Sequence, residues 1–333
     1  MAFDDHTGGP ARDWLRRLAP YKHPRTGRSV MEAALSIGPL LALWIVGALL
    51  APHLPWAALA LGILSGAFLI RTFIVQHDCG HGSFLADRRA QAWLGRICGV
   101  LTATPYADWR HAHAVHHGEA GDLSGREMGD VWTLTLAEYR AAPLWERVYY
   151  RIYRNPVVLF ALAPAGLFLI RQRYPYRWNA PARFWVSAMG TNLALAALLG
   201  VFWLVGGWAA ILAVWLPSVV TAATAGVWLF YVQHQFEDTH WESGEDWDLH
   251  EAALHGASHY VLPQPLPWIT GNIGIHHVHH LFSRIPFYRL REVLRDHPEL
   301  AEVNVLTLRE SLRCARLHLW DEDSRTLVRF SAA

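Results

Sequence analysis

The sequence is poor in charged residues and in cysteine. Asp, Glu, Lys and Arg make up 17% of its 333 residues, and the net charge is +1. Without a basic stripe, this near-neutral balance argues against nucleic-acid binding. The three cysteines, Cys79, Cys98 and Cys314, form no CxxC pair, so neither a disulfide framework nor an oxidising compartment is predicted. No cleavable signal peptide, low-complexity segment or solenoid repeat is recognisable, so we expect a single domain over residues 1–333.

Apolar residues, by contrast, reach 53% and gather in long blocks. Four blocks have about the 20 residues that a helix needs to cross a bilayer core. They cover residues 31–51, 56–76, 184–205 and 208–232. Only a few residues separate the members of each pair, so each pair predicts a helical hairpin whose two outer ends face the same compartment.

Arginines cluster outside both hairpins, in residues 12–28, 88–110 and 171–183. The positive-inside rule makes these segments cytoplasmic, so residues 77–183 and 233–333 are predicted to form a cytoplasmic cap. Two shorter apolar stretches, at 93–106 and 157–170, predict interfacial or re-entrant helices within it. The predicted fold is therefore an all-α, multi-pass integral membrane protein with about four transmembrane helices in two hairpins and a histidine-rich cap.

Twenty histidines are the most unusual feature of the composition, and many of them lie in three boxes. The first box, with His77 and His81, falls where the second span ends. Residues four apart on a helix share one face, so these two imidazoles can bind one metal ion together.

The other two boxes share the pattern HxxHH. They contain His113, His116 and His117, and His276, His279 and His280. Spacings of three and four converge on one helix face, whereas adjacent histidines diverge by about a third of a turn, so one box can reach two neighbouring metals. Eight imidazoles exceed the four ligands of a single zinc ion, so two metals are predicted. An all-nitrogen site suits redox-active iron, although imidazole also binds copper, nickel and zinc.

A ninth candidate ligand, His234, ends the fourth span and would point at the cluster. Metal-bound imidazoles usually donate their second N–H to a carboxylate or a carbonyl group. Groups near the boxes that could support the ligands in this way are Asp78, His111, Asp130, Glu237, Asp238, His259 and His277. His53, in the outer turn of the first hairpin, is predicted to be unrelated to the site.

The boxes and their flanks resemble the membrane fatty-acid desaturases, whose pattern is HxxxH, then HxxHH, then a distant HxxHH. The matching segments are HDCGHGSF at 77–84, WRHAHAVHH at 109–117 and GNIGIHHVHHLFSRIPFYRL at 271–290. They look like the acyl-lipid Δ12 (omega-6) branch, and the resemblance covers essentially the whole chain. It implies an O2-activating centre of two iron ions, with the eight box histidines as ligands and His234 as a ninth. One departure is Gly271, where plant members carry a further histidine.

The resemblance also implies partners for the reaction. These are the acyl chain of a membrane lipid, O2, and an electron donor such as a ferredoxin. No HPGG-like haem motif is present, so we expect the donor to be a separate protein. An apolar tunnel between the spans should admit the acyl chain, with Phe73, Trp109 and Trp228 as candidate lining residues.

Two alternatives remain open at this point. A membrane hydroxylase or ketolase acting on a lipid, alkane or carotenoid would use the same histidine scaffold, because only the fate of the substrate differs. A non-enzymatic metal transporter or haem-binding membrane protein would instead place polar groups near the bilayer midplane. The predicted spans contain very few such groups there, which favours an enzyme.

Overall fold

The protein is mostly helical, and a computed structural model describes residues 10–126 and 129–333. Its helices are α1 (Pro10–Leu18), α2 (Thr26–Leu50), α3 (Pro55–His81), α4 (Arg88–Leu101), α5 (Tyr106–Glu119), α6 (Leu136–Ala141), α7 (Leu144–Tyr153), α8 (Ala163–Leu169), α9 (Ala182–Ala210), α10 (Leu216–His234), α11 (Leu249–His255), α12 (Leu266–Ile269), α13 (His276–Leu281), α14 (Leu290–Asp296) and α15 (Leu308–Cys314). Single π-helical turns, Val158–Leu162 and Ile211–Trp215, precede α8 and α10.

Three continuous helical runs in the described chain are long and apolar enough to cross a membrane: α2, α3 and residues 182–234. The last run has 53 residues, which would extend roughly 80 Å, more than twice the ~30 Å of a bilayer core. It is interrupted at Gly206 and Gly207, whose backbone is not helical. Gly207 has φ +62° and ψ −155°, a conformation that is essentially restricted to glycine.

Contacts to one tryptophan show that this run folds back on itself. Trp44 on α2 packs edge-on against Phe202, with ring centroids 5.5 Å apart. The same indole donates a hydrogen bond to the Ser218 hydroxyl at 3.1 Å. In a straight helix residues 202 and 218 would be about 24 Å apart. The predicted second hairpin, with its turn at the two glycines, is therefore confirmed, and the fold has four membrane-crossing helices.

Close packing joins α3 to the second hairpin through Gly62 and Gly66. A Cβ atom on Gly62 would lie 2.5 Å from the carbonyl oxygen of Ala213, and one on Gly66 would lie 2.7 Å from Cβ of Thr221. Small residues four apart allow two helix backbones to approach in this way. As a result, the last turns of α3 and α10 lie side by side at one end of the bundle.

A buried ion pair, which the sequence did not predict, links α2 to α3. Glu32 and Arg71 are each 2% exposed and in direct contact. Arg71 also donates to the Trp268 carbonyl group, and its guanidinium lies 4.1 Å from the centre of that indole ring. Charged groups on membrane-crossing helices are costly unless paired, and here the pair also holds α12 against α3.

The helix of the second predicted span is longer than the span itself. The prediction covers residues 56–76, and α3 continues to His81, so the first histidine box lies on the same helix. One sequence prediction needs correction, because residues 93–106 do not form one helix. Here α4 ends at Leu101, and α5 begins at Tyr106 after a turn in which Ala103 has φ +54°.

The cap also contains short strands that an all-α prediction omits. They are β1 (Leu134–Thr135), β2 (His259–Val261), β3 (Val305–Thr307), β4 (Leu319–Asp321) and β5 (Thr326–Val328). The parallel pair β2–β3 and the sheet β1–β4–β5 join segments that are distant in sequence. The stretch 157–170 follows α7 with a bend of 59°, which suits the predicted interfacial or re-entrant helix.

Replacing Gly62 by alanine should destabilise the protein, because the added Cβ would force α3 away from residues 211–215. Overpacking of this kind typically costs about 1–3 kcal/mol. The apparent unfolding temperature of the purified protein in detergent measures the effect. Gly38→Ala on α2 is the matched control, since nothing lies within 4 Å of a Cβ there. Equal unfolding temperatures for the two variants would contradict the close contact.

Candidate metal centre

Four helices deliver histidines to the end of the bundle where α3 and α10 meet. The last two turns of α3 carry His77 and His81, and Gly82, with φ +77°, ends that helix immediately afterwards. The second box lies on α5 and the third on α13. His234 is the last residue of α10. All nine histidines that the sequence nominated as ligands are brought together.

The nine imidazoles fall into two groups, and within each group the candidate ligand atoms lie within 4.8 Å of one another. Site A consists of His77, His81, His113, His117 and His279. Site B consists of His116, His234, His276 and His280. Each HxxHH box gives its two outer histidines to one site and the remaining one to the other. The two sites are adjacent, because the rings of His117 and His280 stack with their centroids 4.0 Å apart.

Distances between the imidazole nitrogens fit metal coordination. In site A, Nε2 of His81 lies 3.3 Å from Nε2 of His77 and 3.0 Å from Nε2 of His113. In site B, Nε2 of His234 lies 3.2 Å and 3.0 Å from those of His116 and His276. Two nitrogens bound at right angles to one metal, each at about 2.1 Å, would be roughly 3.0 Å apart.

Hydrogen bonds among the histidines cannot account for this arrangement. A neutral imidazole has one donor nitrogen and one acceptor nitrogen, so a cluster of rings whose Nε2 atoms all face each other leaves lone pairs opposed. Within the described chain, neither ring nitrogen of His280 has a hydrogen-bond partner, although both are buried. A cation between the rings would satisfy these atoms, and the residues present therefore fit a metal.

Burial keeps the imidazoles in the form that binds metals. For five of the histidines on α5 and α13, burial lowers the pKa well below the ordinary value, and neighbouring rings lower it further. The residues concerned are His113, His117, His276, His279 and His280. They are neutral at pH 7, with lone pairs available for coordination.

Two of the predicted supporting carboxylates contact one ligand each. Asp78 Oδ1 lies 3.1 Å from Nδ1 of His77, and its Oδ2 accepts a hydrogen bond of 2.7 Å from the backbone N–H of Phe287. Asp130 Oδ1 lies 2.5 Å from Nδ1 of His116. Burial alone would raise the pKa of Asp130, but the charge and hydrogen bond of His116 lower it. One ligand in each site thus has its Nδ1 held by a carboxylate and its Nε2 turned inward.

Two other predicted supporting residues bind the backbone of a distant loop. Nε2 of His277 lies 2.8 Å from the carbonyl oxygen of Leu300, and Nδ1 of His259 lies 2.8 Å from that of Ala301. Their rings are neighbours, with centroids 5.6 Å apart. Although His277 belongs to the third box, it is in neither site, and both histidines anchor residues 300–301.

The remaining predicted supporting residues lie away from the two sites. His111 stacks on Phe184, with centroids 5.4 Å apart, and lines a cavity of about 1110 Å³ on the outer side of α5. Glu237 and Asp238 are exposed, and in the described residues no hydrogen bond joins either carboxylate to a histidine of site A or B. Both residues are close to His234 in sequence but not in space, because the chain turns outward after α10.

Aromatic side chains border site A on its membrane side. Trp109 stacks on His113, with centroids 4.9 Å apart, and packs edge-on against Phe73 at 5.3 Å. Phe73 precedes His77 by one helical turn, so the two share a face of α3. Both aromatic residues are half-buried, as expected for the lining of a substrate path.

An equivalent residue borders site B and was not predicted. Phe230 precedes His234 by one turn of α10, and its ring centroid lies 5.1 Å from that of His234 and 5.0 Å from that of His116. The repeated spacing, phenylalanine four residues before a histidine at the end of a span, was a signal that could have identified it. Trp228, nominated in its place, packs instead against Phe160 at 4.9 Å.

Gly271 also takes a position that a histidine could not occupy here without rearrangement. Its φ is +59°, and a Cβ atom would lie 2.8 Å from Cγ2 of Ile74 and 3.1 Å from Cδ2 of Phe287. The departure from the plant pattern at this residue is therefore built into the packing of α3 against the segment that precedes α13.

Comparisons with known proteins agree with this site. A family model described as fatty acid desaturase matches residues 54–311. A fatty acid desaturase of Bacillus subtilis (strain 168) is 40% identical over 317 residues, 95% of this chain and 90% of that protein. Two proteins of Synechocystis sp. are more distant. An sn-1 oleoyl-lipid 12-desaturase is 29% identical over 72% of this chain and 68% of its own length. An sn-1 acyl-lipid omega-3 desaturase (ferredoxin) is 27% identical over 69% and 64%.

The family model covers α3, α9 and α10 and includes every histidine of sites A and B. The comparisons decide against a transporter or a haem-binding subunit, and they favour desaturation over the related hydroxylation chemistry. The chain belongs to the fatty acid desaturase family and is a multi-pass membrane enzyme, an O2-dependent oxidoreductase.

Proposed function

We propose that the five histidines of site A and the four of site B each hold one iron ion. This assignment depends on the Nε2 atoms of neighbouring histidines, which lie 3.0–3.3 Å apart. Hydrogen bonds among the rings do not satisfy these atoms. When bound, the iron pair supplies the O2-activating chemistry that removes two hydrogens from neighbouring CH2 groups. The protein's own part is to hold the ligands, orient the acyl chain and exclude water.

The substrate is proposed to be a monounsaturated acyl chain of a membrane glycerolipid, and the new cis double bond a Δ12 (omega-6) bond. Support comes from the likeness of all three boxes and their flanks to that branch. The relative whose printed name is sn-1 oleoyl-lipid 12-desaturase adds to it. The product would be a diene in the same lipid.

The two phenylalanines that precede ligand histidines place the acyl chain. Phe73 on α3 and Phe230 on α10 stand one turn, about 5.4 Å, on the membrane side of their histidines. A chain entering from the bilayer would pass these rings before it reaches the nitrogens. Trp109, stacked on His113, closes the same side. Apolar rings in this position exclude water from the reacting CH2 groups.

Asp78 and Asp130 have an orienting role. Each carboxylate accepts a hydrogen bond from the Nδ1–H of its histidine, so that histidine presents its Nε2 lone pair to the centre. This holds one ring in each site in a single tautomer. It also increases the basicity of that ligand.

The electron donor is proposed to be a separate, small ferredoxin-like carrier, and the histidine end of the bundle to face the cytoplasm. The printed names of two cyanobacterial relatives mention ferredoxin. Arginines surround the histidine end, whereas the far turns, residues 51–54 and 206–207, contain neither Lys nor Arg. The positive-inside rule then orients the bundle.

Expression in a host that makes monounsaturated lipids should yield a diene, and the purified protein should contain about two irons per chain. His279→Gln should abolish the diene, because it removes a nitrogen of site A. Gas chromatography with mass spectrometry of total lipid, together with iron analysis, measures both. His277→Gln is the matched control from the same box, since its amide can still bind the Leu300 carbonyl.

A hydroxylated lipid, or no new product with a competent donor present, would contradict the proposed reaction. A diene with its second double bond elsewhere would contradict only the Δ12 assignment. Full turnover by His279→Gln would contradict the ligand assignment.

Labelling tests the proposed orientation. The three native cysteines are buried, so a cysteine in place of exposed His53 should react with a membrane-impermeant maleimide in intact cells. A cysteine in place of exposed Arg284, just after the third box, should react only after permeabilisation. The opposite pattern would place the histidine end outside.

Phe230→Leu should lower turnover or mix the double-bond position while leaving iron content unchanged. A reacting group displaced by a fraction of an ångström loses rate on the order of tenfold, because misplacement by 1 Å can cost roughly 100-fold. Phe202→Leu is the matched control, since Phe202 packs on Trp44 in the membrane-crossing bundle. If Phe230→Leu forms the product at an unchanged rate and with the double bond at the same position, Phe230 does not lie on the substrate path.

A further inference from the structure

A buried arginine lies close to site B, outside the set of histidines and carboxylates. Arg154 follows α7 at the 59° bend before the π-helical turn, and it is 1% exposed. Removing a guanidinium from water is costly unless its N–H groups are satisfied. A residue held there at such a cost needs a specific set of partners.

Five neutral acceptors surround the guanidinium. Its Nη1 donates to the Trp132 carbonyl at 3.2 Å and to the Thr133 hydroxyl at 3.3 Å. Its Nη2 donates to the Tyr231 hydroxyl at 3.1 Å, the Gln235 side-chain oxygen at 3.0 Å and the Leu317 carbonyl at 2.8 Å.

Four of these five acceptors lie on the segments that deliver two ligands of site B, and the fifth, the Leu317 carbonyl, precedes β4. Residues 132 and 133 lie two and three positions after Asp130, whose carboxylate holds Nδ1 of His116. Tyr231 and Gln235 lie three residues before and one residue after His234, at the end of α10. Thr133 and Gln235 are also bonded to each other, at 3.2 Å, so the two segments meet at the guanidinium.

We propose that Arg154 is a positioning residue for site B, which fixes the Asp130 segment against the end of α10 and so sets the places of His116 and His234. This inference rests on the proposed two-iron centre. Among the described residues, Arg154 bonds to no segment that carries only site A ligands, so its loss should act on one metal and not on both. The four N–H groups on Nη1 and Nη2, held in one plane, suit this junction better than the three donors of lysine, and Nε has no partner in the described residues.

Metal binding to the full-length, detergent-purified protein tests the proposal. Co²⁺ titrated into the metal-free protein reports each site through its visible absorption, and metal analysis gives the number of ions per chain. Wild type should bind two. Arg154→Lys should bind the second ion about tenfold or more weakly, as is typical when a residue that orients a ligand is lost, with the first ion unaffected.

A milder pair of variants covers the case in which Arg154→Lys does not fold. Thr133→Val removes only the hydroxyl shared by Arg154 and Gln235 and should weaken the same ion, whereas Thr133→Ser keeps the hydroxyl and should restore binding. Arg173→Lys is the matched control, because that arginine binds Asn192 and backbone carbonyl groups remote from site B.

The possible results separate the two proposals. Fewer than two ions in wild type would refute the proposed centre itself. Two ions in wild type with unchanged affinity in Arg154→Lys or, where that variant does not fold, in Thr133→Val would overturn the role of Arg154. Equal weakening of both ions would also overturn it, since that result shows a general effect on folding. Selective loss of the second ion, with recovery in Thr133→Ser, supports the proposal.

Discussion

Nine imidazoles facing inward at the end of a membrane bundle are the constraint on which the rest of the structure depends. The Nε2 atoms of neighbouring rings lie 3.0–3.3 Å apart. They cannot satisfy each other through hydrogen bonds. The arrangement is favourable only around cations. Iron binding and the final packing of the cap should therefore be coupled, because a metal-bound state contributes its binding free energy to folding.

The bundle supplies the rigidity that this cluster needs. α3 and α10 approach closely through Gly62 and Gly66, so two ligand-bearing helix ends are fixed relative to each other by backbone packing. Long helices position a side chain more precisely than loops do. The third box has only a short helix, α13, and it depends on contacts such as Phe287 to Asp78 and His277 to Leu300. His277, the histidine of that box that belongs to neither site, therefore ties the box to the segment at Leu300.

Much of this site follows from spacing along single helices. Helix geometry predicted that one HxxHH box can reach two metals, because the spacings within a box concern a single helix. The hairpin turn at Gly206–Gly207 was predictable for the same local reason. Contacts between segments that are distant in sequence could not be predicted in this way. Glu237 lies three residues from His234 yet is exposed, whereas Arg154, about 80 residues away in sequence, meets the end of the same helix. Phe230 was missed because aromatic residues are common near membrane interfaces, and only its spacing to His234 distinguishes it.

Regiochemistry has to come from the surroundings of the irons and not from their ligands. The two Synechocystis relatives are about equally similar to this chain, at 29% and 27% identity, yet their printed names give different double-bond positions. Overall similarity to this chain therefore does not identify the bond. What can vary is the path of the acyl chain between its headgroup and the centre, and in the proposed function that path is bordered by Phe73, Trp109 and Phe230. Gly271 contributes to the same region, because its lack of a side chain leaves room for Ile74 and Phe287 beside it. Substitutions at these positions should change the depth at which a CH2 pair meets the proposed metal centre while leaving its ligands in place.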